Sequence, residues 1–115
     1  MPGPEMLDKP IESDDMIFHA ALVLKTIAHP VRLEILCLLA KDELCVHEIT
    51  EAVGRSQSNV SQHLASLRSY GVLATRKDAN RVLYHISDPR TNQIVSMLRD
   101  VFGSADSASH KPSVR

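Results

Sequence analysis

Apolar residues along this chain recur with a helical period in five segments and approach strand-like alternation in only one region. MIFHAALVLKTIA (16–28) spaces Ile17, Ala20, Ala21 and Leu24 three and four apart behind a cap at Ser13 or Asp14, which predicts a first helix. His29-Pro30 interrupts it, because proline disfavours helical backbone in the residue before it and opens a new helix well. The next helix, PVRLEILCLLA (30–40), is apolar on nearly every side except at Arg32 and Glu34, as a central helix would be. After the polar turn Lys41-Asp42-Glu43, LCVHEITEAV (44–53) sets Val46, Ile49 and Val53 on one face, and Gly54 follows where a left-handed cap is needed. Ser56 then caps SQSNVSQHLASLRSY (56–70), with Val60, Leu64 and Leu67 inward and Gly71 closing the helix.

Two strand-like runs follow, VLATRK (72–77) and RVLYHIS (81–87), around the turn-forming loop Asp78-Ala79-Asn80, and they predict a hairpin with imperfect alternation. Asp88-Pro89 opens a last helix, PRTNQIVSMLRDVF (89–102), ended by Gly103. The order predicts a mainly α fold with a small β-hairpin: a winged helix-turn-helix of about five helices and a two-stranded wing. Residues 1–13, with three prolines, read as a flexible arm, 14–103 as the domain, and 104–115 as a disordered polar tail. The first and last helices carry more apolar surface than a three-helix core requires. Ile17, Ala21, Leu24, Ile94, Met97, Leu98 and Val101 are therefore expected to pair between two copies in a homodimer.

With 115 residues and 43% apolar content the chain can bury one modest core, and a monomer of this size is marginal, which also favours a dimer. The first residues lack the apolar run of a signal peptide, and no segment approaches the roughly 20 apolar residues of a membrane span. The expectation is a soluble, cytoplasmic protein with no membrane partner.

Charge sharpens the picture. The net charge of −1 conceals an acidic half, residues 1–54 at −6, and a basic stretch, residues 55–99 at +5. A local basic field is enough to attract a polyanion, which makes double-stranded DNA the expected partner. In a helix-turn-helix the second helix meets base edges in the major groove. That role falls to Ser56, Gln57, Ser58, Asn59, Ser61, Gln62 and His63, whose amides and hydroxyls suit base-edge recognition. Arg55 and Arg68 at the ends of this helix, and Arg76, Lys77 and Arg81 near the hairpin turn, are expected to meet phosphates. The alternative from another class is a winged-helix adaptor that binds protein and no DNA. An enzyme is not expected, since a Cys45 pair with His47 or His63 lacks an oxyanion turn and a third orienting group.

The segments AHPVRLEIL, ELCVHEI, SQSNVSQHLASLR and RKDANRVLYHIS, in this order, resemble the ArsR/SmtB family over roughly residues 16–102. The resemblance implies a homodimeric repressor that binds a palindromic operator through its third and fourth helices and releases it when an inducer binds. Metal-sensing members often carry Cys-Val-Cys where this chain has Cys45-Val46-His47, and the remaining ligands of that site have no counterpart here. No cofactor is therefore expected, and Cys45 and His47 read as a semi-buried thiol and a surface imidazole, with a metal ion held at the pair as the alternative. Cys37 matches the first cysteine of the reactive-sulfur-sensing branch, whereas the second falls at Gly103. The apolar neighbours Leu36, Leu38 and Leu39 point to a core thiol. SQS..SQHL..LR and RKDANRVLYH are also similar to the NolR-type branch, which needs no cysteine to bind DNA. The inducer remains open between Cys37, Cys45, His47 and a non-thiol ligand.

Overall fold

The computed structural model describes the backbone of residues 3–103 and the side chains of residues 14–103. Its elements are α1 (Gly3–Ile27), α2 (Pro30–Leu39), α3 (Val46–Val53), α4 (Gln57–Ser69), β1 (Leu73–Asp78), β2 (Arg81–Ile86) and α5 (Pro89–Phe102). The mainly α fold with one hairpin is the expected one. The expected tail, 104–115, lies outside the described residues.

Three boundaries differ from the sequence reading. Helical backbone begins at Gly3 and not behind Ser13 or Asp14, so it passes through the expected arm. Pro4 falls in the first turn, where its missing N–H costs nothing, and Glu5, Met6, Leu7 and Lys9 are reasonable helix formers. The third helix starts at Val46, two residues later than expected, because Leu44 is drawn into an antiparallel bridge with Tyr84 of β2. Both backbone bonds of that bridge form, Leu44 N–H to Tyr84 O at 3.3 Å and Tyr84 N–H to Leu44 O at 2.8 Å. The hairpin loop has two residues and not three, since Asp78 pairs with Arg81 and only Ala79-Asn80 turns the chain. Ala79 takes a φ of +59°, the left-handed region that a tight hairpin turn demands and that alanine rarely supplies.

Local chemistry fixes the other ends. His29 caps α2, its Nδ1 accepting from Val31 N–H at 3.1 Å. Ser56 caps α4 through Asn59 N–H at 3.0 Å, and Asp88 caps α5 through Arg90 N–H at 3.0 Å. At the far end of α4, Gly71 (φ +78°) lets its own N–H reach Arg68 O while Val72 N–H reaches Leu67 O, which satisfies two end carbonyls and turns the chain into β1.

The core is a single cluster in which α2 lies at the centre. Ile35 and Leu36 meet Ile49 and Val53 of α3, Val60, Leu64 and Leu67 of α4, Val72 and Leu73 at the base of the wing, and Val95 of α5. Each such side chain stabilises the fold by about 1.5–3 kcal/mol relative to its exposed state. Of the described side chains of α1, Thr26 and Ile27 in its last turn are buried, and Ile27 joins the core, whereas Met16, His19, Ala20 and Val23 line a groove with Arg90 and Ile94 of α5. Burial in β1 ends after Thr75, which explains the imperfect alternation: the outer part of the hairpin projects beyond the core.

Candidate nucleic-acid interface

Helix α4 is held on its inner side by Val60, Leu64 and Leu67, all essentially inaccessible, and this fixes which residues face outward. At 100° per residue the outermost row runs Ser58, Gln62, Ala65 and Ser69, with Gln57, Ser61 and Arg68 along one flank. All seven are exposed. Ala65 was missing from the sequence-derived set; its place seven residues after Ser58 marks it, and its methyl offers an apolar contact of the kind that suits a thymine methyl. Ser56 is exposed but occupied as the cap, so it positions the helix.

Asn59 and His63 do not share the outward row. Both are half-buried on the opposite flank, where the helical rotation turns His63 back toward Arg32 of α2. Asn59 Oδ1 is buried without a hydrogen-bond partner, and His63 Nδ1 accepts from Arg32 Nε at 3.1 Å.

The wing is less freely basic than its sequence implies. Arg76 pairs with Glu43 at 2.7 Å and Arg81 with Glu48 at 2.8 Å. Hydrogen bonding from Arg76 holds the Glu43 carboxyl below its usual range, and the Cys45 N–H, then the Cys45 side chain and Arg81, do the same for Glu48. The Cys45 side chain and Glu48 in turn hold Arg81 firmly protonated. His85 Nδ1 lies 3.6 Å from Glu43 Oε2. These partners come from more than 30 positions away along the chain, a separation that local sequence patterns do not reveal. Lys77, Arg55 and Arg68 make no ion pair among the described residues.

The candidate effector residues lie apart. Cys45 stands at the N-cap of α3, where its N–H donates to Glu48 Oε1 at 2.9 Å. His47 points to solvent beside Glu51 at 3.3 Å. Cys37 is half-buried, and desolvation pushes its thiol pKa up against the opposing pull of Arg99 and Lys41. Among the described residues no group of three or more His, Cys, Asp or Glu side chains is placed to hold a metal ion.

The expected dimer residues divide into two sets. Ile17, Ala21, Leu24, Met97 and Val101 are exposed, as are Met16, Phe18 and Phe102. Ile94 and Leu98 are half-buried within their own chain, and Ile94 packs against the core.

A helix-turn-helix whose second helix turns a polar row outward beside a two-stranded hairpin defines a winged helix-turn-helix protein. Residues 29–75 match the family model of the bacterial regulatory proteins of the arsR family. The chain is 40% identical over 97 residues to the nodulation protein NolR of Rhizobium meliloti, covering 84% of this chain and 80% of that one. It is 35% identical over 82 residues to the biofilm growth-associated repressor of Xylella fastidiosa, covering 71% and 72% of the two chains. Reduced HlyU from Vibrio cholerae superposes with a TM-score of 0.75 at 37% identity, over 79% of this chain and 96% of that one. The homodimeric winged helix-turn-helix DNA-binding domain Mb0332 from Mycobacterium bovis does so with 0.69 at 29%, over 77% and 82%. The chain belongs to the ArsR family.

Among the described residues no helix is long and apolar enough to cross a membrane.

Proposed function

We propose that this protein is a homodimeric transcriptional repressor of the cytoplasm that binds an operator in double-stranded DNA, and that it catalyses no reaction. The observation that carries this reading is the exposed row Ser58, Gln62 and Ala65 on a helix anchored from behind by Val60, Leu64 and Leu67, next to a wing bearing the exposed Lys77. Repression follows the relative named a repressor. Dimerisation follows the exposed apolar faces of α1 and α5 together with the homodimeric relative. Burial raises the Cys37 thiol pKa against the pull of Arg99 and Lys41, which disfavours a thiol-reactive inducer at that position.

The test is fluorescence anisotropy with labelled duplexes from upstream of the gene, against an unrelated duplex. Gln62→Ala is expected to cut the preference for the specific duplex by about 1–3 kcal/mol, while non-specific binding stays as it was. Lys77→Ala is expected to weaken both duplexes alike and to reduce the slope of log affinity against log salt by about two, one for each protomer of the dimer. If Lys77→Ala left both affinity and salt slope untouched, the wing would not contact DNA.

A further inference from the structure

Two histidines that are far apart in sequence meet beside α4. The rings of His29, at the start of α2, and His63, on the inner flank of α4, have centroids 4.6 Å apart with planes inclined at 48°. Each ring already uses Nδ1 as an acceptor: His29 from Val31 N–H, and His63 from Arg32 Nε–H. A neutral imidazole that accepts at Nδ1 carries its proton on Nε2, so both rings are fixed as Nε2–H donors, and neither donor has a protein partner among the described residues. Arg32 is itself pinned, its Nη1 donating to Thr26 O at 2.8 Å, so the acceptor side of His63 is rigidly held.

The surroundings favour an anion. Burial first, and then nearby positive groups that include Arg32 and Arg55, hold His63 below the ordinary imidazole range. Arg55 also lines an open groove with Pro30 and Glu34. The position matters as much as the charge. A helix about 10–12 Å across lying in a groove about 12 Å wide has a phosphate backbone along each side. Arg68 and Ser61 serve one flank of the outward row, and the histidine pair occupies the other.

We propose that His29 and His63 form a seat for a backbone phosphate of duplex DNA, each donating its Nε2–H to the phosphate oxygens. The seat rests on the DNA-binding function proposed above and adds a contact made by uncharged donors, with the N-terminus of α2 brought into the interface. It contributes affinity without reading sequence.

Asparagine and glutamine separate the two nitrogens. Asparagine can stand in for Nδ1 as acceptor, keeping the α2 cap and the Arg32 bond, and it removes the outer donor. Glutamine retains a donor near Nε2 and gives up the acceptor. Anisotropy with the upstream and unrelated duplexes at several salt concentrations is expected to show His63→Asn and His29→Asn each about tenfold weaker on both duplexes. The salt slope stays unchanged because no cation is lost, and His63→Gln retains near-native affinity. The reverse order, with His63→Gln weak and His63→Asn native, would make His63 a support for Arg32 and overturn the seat, as would native affinity in both asparagine variants. Thermal melts confirm that the variants are folded, and should His63→Asn not fold, His29→Asn decides alone. Wild-type protein that bound neither duplex would overturn the DNA-binding function and the seat together, whereas wild-type binding with unaltered variants overturns the seat only.

Discussion

Leu64→Ala is expected to lower the midpoint of thermal unfolding by about 10 °C or more. Leu64 is 1% exposed and sits where α4 meets α2, so its truncation leaves a cavity worth about 2–5 kcal/mol. A domain of this size has only about 5–15 kcal/mol of stability in all, and each kilocalorie moves the midpoint by roughly 4–8 °C. The substitution leaves the outward row of the same helix untouched. Below the midpoint the variant should therefore bind DNA with the parent's sequence preference, a separation that circular dichroism melts and anisotropy at low temperature can read together. A shift of only a few degrees would mean that α4 is not seated on α2 as described.

The second large effect concerns the terminal helices. Val101→Asp is expected to leave the protomer folded, because Val101 is 62% exposed in the single chain, and to abolish self-association. Buried between two copies, an unpaired carboxylate is costly enough to separate them. Sedimentation velocity should show a monomer at concentrations where the parent is a dimer. Affinity for an operator with two half-sites should fall by about 10² or more, since the second half-site is no longer engaged at a high effective concentration. Leu98 would make a poorer test, being half-buried in its own chain, where a charge would damage folding and association at once. A Val101→Asp protein that remained dimeric would move the interface elsewhere.

Much of the scaffold was legible because its determinants are local. Periodicity placed α2, α4 and α5; the caps Ser56 and Asp88 and the turn glycines Gly54 and Gly71 marked boundaries that the structure retains. What escaped depends on distant partners. Leu44 reads as the first residue of a helix until Tyr84, forty positions on, claims its backbone. Ala79 carries no sequence signal for a positive φ; the pairing of Asp78 with Arg81 imposes it. The candidate site divides in the same way. The outward row of α4 follows from helical spacing, whereas the engagement of Arg76 and Arg81 by Glu43 and Glu48, and of His63 by Arg32, appears only once the chain has folded.

The bridge between Leu44 and Tyr84 has a mechanical consequence. Together with the Glu43–Arg76 and Glu48–Arg81 pairs it fastens the wing to the entrance of α3 at three points, so the span from base-reading helix to wing is set inside each protomer. In the proposed dimer the span between the two half-sites is set by α1 and α5, and of the described side chains of α1 only Val23, Thr26 and Ile27 are withdrawn from solvent. The molecule thus contains one stiff ruler and one adjustable ruler. An effector that shifted α1 could put the two half-sites out of phase with the DNA helix while leaving each reading head intact.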